Sequence, residues 1–226
     1  MRKIICLALL TMVCSSQAVF AQSQTELNQQ AGQGSAKSDK ELNAVWRNVL
    51  AKYATNTEFI TKLRKAESAW IVYRDKHLDA VWPNADPSYY GSAFDMCRSS
   101  ELGGLTKART KDLKLLLNHA APLPASAAMV ATGNAAVDSQ FKKGLKAATP
   151  EEPLFTKKYQ QAQTAWTAFR DADSDAWQAL DASTKDSSAA KYSRIVQLDK
   201  ARVKELDGWV RGIPEGDVCT GSRITY

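Results

Sequence analysis

Two short stretches of this chain carry residue types that could do chemistry together. Trp70 is followed one helical turn later by Arg74 and then Asp75, and Trp166, Arg170 and Asp171 repeat that order. Residues four apart share a helix face, so each indole lies beside a guanidinium that can stack on it. The neighbouring carboxylates are placed to meet Arg109 and Arg202, which come later in each stretch. The pattern reads two ways. Either each tryptophan floors a ligand pocket clamped by arginine, or the tryptophans fill a core whose helices are pinned by Asp75 with Arg109 and Asp171 with Arg202. Aromatic stripes at helical spacing favour the second reading.

Catalytic patterns are otherwise scarce. Of the two histidines, His77 lies on an apolar stripe as a satisfied core residue, and His119 falls at a helix end where it would cap. No zinc-protease, serine-hydrolase, phosphate-loop or dinucleotide-binding motif occurs. Ser188-Ala189-Ala190-Lys191 matches the Ser-x-x-Lys of penicillin-recognising enzymes, but the companion motifs are missing. We therefore expect no catalytic residue, no metal and no cofactor. Acids are numerous enough for a glycosidase pair, which keeps a wall-modifying hydrolase as a minor alternative.

One local cluster of charge stands out. Asp171, Asp173, Asp175 and Asp181 crowd residues 171–186, where Lys185 is the lone base. This is either an acidic patch for a basic partner or a solvated helix end. The chain as a whole is basic, at +6 with a pI near 9.1. Its lysines are interleaved with acids, as on solvated helix faces, and export removes nucleic acid as a partner. A weak basic face suits anionic wall polymers better.

Export is read from residues 1–21. Arg2 and Lys3 precede the apolar run Ile4-Ile5-Cys6-Leu7-Ala8-Leu9-Leu10, and Val19-Phe20-Ala21 supplies a cleavage site after Ala21. A lipoprotein signal through Cys14 is the rival, but Val13 stands where a small residue belongs. The chain has no stretch of apolar residues long enough to span a bilayer, so the expected location is the periplasm or the outside. Cleavage removes Cys6 and Cys14 of the four cysteines. Cys97 and Cys219 then remain, to pair in an oxidising compartment or to stay as two thiols.

The elements that must position these residues are helical. Residues 22–37 are polar and Gln/Gly-rich and read as a flexible arm, with Ser38 and Glu41 as the first capping box. Leu42, Val45, Trp46 and Val49 follow at helical spacing, then Phe59, Leu63, Ala66, Trp70, Tyr73 and His77, then Leu105, Ala108, Leu113 and Leu116. Residues 38–118 form a first three-helix unit, and Pro122-Leu123-Pro124 opens a linker over 119–133. Beyond it the pattern returns. Ala66-Glu67-Ser68-Ala69-Trp70 aligns with Ala162-Gln163-Thr164-Ala165-Trp166, and Leu105-Thr106-Lys107-Ala108-Arg109 with Leu198-Asp199-Lys200-Ala201-Arg202. Residues 134–213 are thus a second, divergent three-helix unit, starting a helix at Thr149-Pro150-Glu151-Glu152, with 214–226 as a tail. The fold class is all-α: two tandem three-helix units forming helical bundles.

The run Leu63-Arg64-Lys65-Ala66-Glu67-Ser68-Ala69-Trp70-Ile71-Val72-Tyr73-Arg74-Asp75, with Leu105-Thr106-Lys107-Ala108-Arg109 downstream, resembles the LprI-like domain. The likeness is good over 41–117 and looser over 137–210, which implies two tandem copies, the second more divergent. Members of that family usually carry a cysteine soon after Arg-Asp; here Leu78 and Ser174 stand at those places. The resemblance implies an exported helical protein that is not an enzyme and that protects the envelope by binding lysozyme. An envelope adaptor, binding another envelope protein or a cell-wall polymer, is the alternative. Animal-type lysozymes are strongly basic, so the acidic residues 171–186 would be their natural docking surface.

Overall fold

A computed structural model describes residues 22–118, 123–147, 153–180 and 187–226. The expected signal segment, His119 and the 149–152 helix start lie outside the described residues. Six α-helices are described: α1 Gln24–Lys52, α2 Thr57–Val81, α3 Phe94–Leu117, α4 Ala127–Ala147, α5 Pro153–Leu180 and α6 Ser187–Arg211. A single 3-10 turn, Pro87–Tyr90, precedes α3. The fold is all-α.

The first correction concerns the polar stretch before Ser38, which is helix and not a flexible arm. Ser23 accepts from the Glu26 backbone while the Glu26 carboxylate accepts from the Ser23 N–H, so a capping box already starts α1 there. Ser38 is buried mid-helix, its hydroxyl donating to the Gly34 carbonyl at 2.9 Å. The small residues that mimic a linker are what let two helices approach. A Cβ on Gly103 of α3 would stand 3.6 Å from the Ser35 Cα. Likewise, α4 starts at Ala127 and so takes up the second half of the stretch expected as linker.

Helix α1 packs along α3 and α4 along α6, and α2 packs along α5, joining the two pairs. That pairing reflects the internal repeat, but the two units share one core. Phe59, Leu63 and Trp70 of α2 belong to the same apolar cluster as Phe155, Tyr159, Trp166 and Phe169 of α5. Between them the Tyr73 and Phe169 rings lie parallel to within 4°, with centroids 6.1 Å apart. These two residues hold equivalent positions in the sequence repeat.

The tail folds back onto α2 and α3. Ser222 donates from its backbone to Val81 (2.8 Å) and from its hydroxyl to Ala80 (2.6 Å). Ile213 and Thr225 form an isolated bridge. Cys219 is disulfide-bonded to Cys97 at the start of α3, across 122 residues of sequence. The alternative of two free thiols is therefore set aside. A bridge closing so long a loop removes much unfolded-chain entropy. Replacing both cysteines by alanine is expected to lower the unfolding free energy by about 2–5 kcal/mol, measured by urea denaturation; an unchanged midpoint would show that the tail adds no stability.

Candidate functional site

Both motif tryptophans are buried, and each has its arginine over the ring: Arg74 lies 5.4 Å from the Trp70 centroid and Arg170 5.4 Å from that of Trp166. The acids that follow are not the expected pins. Asp75 and Asp171 face solvent and pair with their own neighbours, Arg74 and Arg170, each at 2.8 Å. Successive helical residues point about 100° apart, so an acid next to an arginine already at the rim of the inward stripe turns outward. Arg109 instead donates to Glu67 (2.9 Å) and Asp173 (2.6 Å). Arg202 donates to Gln163 (3.1 and 2.9 Å) and Glu205 (2.7 Å). Glu67 and Gln163 occupy one repeat position, three residues before the tryptophan. The alternation of Glu and Gln there was the available signal.

Around these arginines the repeat is inverted in charge at two positions, His77 against Asp173 and Glu101 against Arg194, while Asp112 and Glu205 keep the same sign. In one place a buried imidazole sits between two carboxylates, with Nε2 2.8 Å from Glu101 and Nδ1 2.9 Å from Glu205. In the other a buried carboxylate sits between two guanidiniums, each at 2.6 Å: Arg109 on Oδ1 and Arg194 on Oδ2. Arg194 also reaches Asp112 at 3.0 Å. Each unit's arginine covers the other unit's ring, with Arg109 5.2 Å from Phe169 and Arg202 5.5 Å from Tyr73.

Burial alone would depress the His77 imidazole, but Glu205 and Glu101 outweigh it and raise its pKa to about 9. The same contacts, with Arg202, hold Glu205 far below the carboxylate range despite its burial. His77 is therefore a satisfied core residue carrying a charge, with both ring nitrogens donating and no lone pair for general-base work. Lys191 of the Ser-x-x-Lys match is paired with Asp175 at 2.6 Å. Among the described residues no group of His, Cys, Asp and Glu could hold a metal ion.

The acidic patch is not a continuous surface. Asp173 is 1% exposed and points into the core. Asp171 and Asp175 do share the outer face one turn apart, but Arg170 and Lys191 neutralise them. Asp181 lies outside the described residues.

What does face outward is a cleft between α1 and α2, with a volume of about 480 Å³. Trp46 and Trp70 form its apolar wall, and Asp39, Arg64, Glu67 and Arg74 its polar margin. Ile71 (41% exposed) and Val72 (52% exposed) stand beside it on α2 as an uncovered apolar ridge. Aromatic rings and guanidiniums are the residue types that anchor protein interfaces.

Residues 14–113 match the family described as lysozyme inhibitor LprI, as one copy of the domain. Over 111 residues, 44% of this chain and 78% of the relative, it is 36% identical to an uncharacterized protein of Rhizobium meliloti (strain 1021). No solved structure matches. The matched segment holds α1, α2 and most of α3, including both walls of the cleft.

The ionised histidine gives a pH signature. Its folded pKa is raised above the ordinary 6.5, so its stabilising contribution is complete below that value and is lost as pH rises through about 9. The unfolding free energy is expected to fall across this window in wild type, and His77→Gln should flatten that slope. Equal slopes in the two proteins would mean that His77 is neutral in the fold.

Proposed function

Because the chain belongs to the lysozyme inhibitor LprI family through its first half, we propose that it is an exported helical binding protein that inhibits a lysozyme. The carrying observation is the family match over residues 14–113, the segment that builds the α1–α2 cleft. Support for export comes from the disulfide, which belongs to an oxidising compartment, and from the signal-like residues 1–21. No described helix is long and apolar enough to cross a membrane.

The docking face in this proposal is the cleft and the Ile71/Val72 ridge, not residues 171–186. A glycosidase cleft carries two carboxylates about its scissile bond, and Arg64 at the cleft margin is complementary to such a site, whereas Arg74 is paired with Asp75. The buried networks behind α2 keep this face rigid, which limits the entropy lost on binding. The second unit, in this reading, is a divergent copy that serves as the scaffold for α2. The buried acids Glu101, Glu205 and Asp173 are held in core ion pairs, which does not favour a hydrolase built on them.

The test is lysis of a cell-wall suspension by lysozyme in the presence of the purified protein. Inhibition near equimolar ratio is expected, and Val72→Lys should weaken it at least about tenfold, or about 1.4 kcal/mol, with unchanged thermal unfolding. No inhibition by wild type at large excess would remove the lysozyme reading; undiminished inhibition by Val72→Lys would move the docking face elsewhere.

A further inference from the structure

The water-facing side of the α4–α6 pair carries a groove of about 470 Å³ that the inhibitor reading does not use. Met129 and Ala136 of α4 and Val196 and Val203 of α6 give it apolar walls. Met129 remains 44% exposed although the two helices pack together. A groove of this size takes a small organic molecule, and an apolar strip left open to water is the kind of feature that marks a ligand site.

The internal repeat shows that the fold does not demand an apolar face here. At the shift of 93 residues that aligns α3 with α6, Val196 stands for Gly103 and Val203 for Thr110. In the first unit the helices close over that place, since a Cβ on Gly103 would already meet the Ser35 Cα at 3.6 Å. The Thr110 hydroxyl turns back to donate to the Thr106 carbonyl of its own helix at 2.8 Å. The second unit thus has two valines where the first has a bare backbone and a hydroxyl.

The floor of the groove is sealed. Asp199 is 1% exposed, and a Cβ on Gly133 would fall 2.5 Å from its Oδ2. Its Oδ1 accepts from Arg170. This carboxylate belongs to the packing of α4 on α6 and offers nothing to a ligand.

The charged group of the lining that is open to solvent is Lys200. Its equivalent in the first unit, Lys107, lies near Glu41 of α1, whose carboxyl is held below its usual range by Lys114 foremost and by Lys37 and Lys107 after it. The α4 residues that line the groove with Lys200 are Ala128, Met129, Thr132, Gly133 and Ala136, and none is an acid. Lys200 has no ion-pair partner among the described residues. The second unit has the lysine without the acid. An apolar trough with a lone cation at its edge matches an amphiphilic anion: the chain gains from leaving water, and the headgroup meets the ammonium while staying hydrated.

We propose that the α4–α6 groove binds a free alkyl carboxylate of medium chain length. The chain lies between Met129, Ala136, Val196 and Val203, and the carboxylate sits on Lys200. The site is separate from the α1–α2 cleft and does not depend on lysozyme binding.

Calorimetric titration of the intact protein with decanoate and decylammonium, both kept monomeric, tests this directly. Saturable binding of decanoate is expected, about tenfold tighter than decylammonium because the two ions meet Lys200 with opposite sign. Lys200→Glu, at an exposed position, should reverse that order. Ala136→Leu, which fills the groove, should remove binding of both ions, and Lys107→Glu in the first unit should leave the order unchanged. Non-saturable uptake of decanoate, equal affinity for the two ions, an order that Lys200→Glu leaves in place, or undiminished binding by Ala136→Leu would overturn the proposal. Binding to anionic phospholipid vesicles with none of monomeric decanoate would assign the face to a membrane surface and overturn it likewise. Hydrogen–deuterium exchange of α4 in Ala136→Leu, compared with wild type, separates a filled groove from an unfolded helix.

Discussion

Arg109 and Asp173 meet at 2.6 Å with both side chains about 1% exposed, and the rest of the molecule is arranged around that contact. A charge taken out of water must be compensated locally, and breaking such a pair leaves the survivor stranded at a cost of about 3–5 kcal/mol. Arg109 belongs to α3 of the first unit and Asp173 to α5 of the second. The pair therefore ties one unit to the other through a contact whose loss strands a buried charge. Arg194 also pairs with Asp173, Asp112 with Arg194, and Glu67 with Arg109, whose Nη2 has no partner among the described residues. The His77 cluster does the same in the opposite sign on the other side of the Tyr73–Phe169 stack. Each cluster is completed by a residue of the other unit: Glu205 on His77, and Arg109 on Asp173.

This constraint decides where function can lie. The buried arginines and acids of the repeat are engaged in the core, so the proposed docking face is what α1 and α2 leave outside, the cleft with its aliphatic ridge. The repeat explains the shared architecture, and its departures mark the surfaces that differ in chemistry.

Periodicity made the helices legible, and the offset from Trp70 to Trp166 made the duplication legible, because apolar spacing and helix breakers are local properties. The tryptophan–arginine stacking was legible for the same reason: residues four apart are neighbours in any helix. Residues 24–37 were misread because Gly, Ser and Gln signal a linker when no partner is in view, and their reason for being helical is the approach of α3. The ion-pair partners were misread because which carboxylate meets Arg109 depends on the register between α3 and α5, which no local pattern encodes. The charge inversion at His77 and Asp173 was present in the aligned repeats, but it becomes meaningful only once the two positions are known to lie on facing helices. Asp173 looked like part of a surface patch for the same reason: an acid-rich run does not show which of its members points inward.

The central claim is that the two units form one cooperative core through the buried charges between them. Native-state hydrogen–deuterium exchange, measured segment by segment on wild type and on Asp173→Asn, tests it most directly. The account predicts that α2 and α5 have matching protection in wild type, and that Asp173→Asn lowers protection in both, although α2 contains no substitution. Loss of protection confined to α5 and α6, with α2 and α3 unchanged, would contradict it.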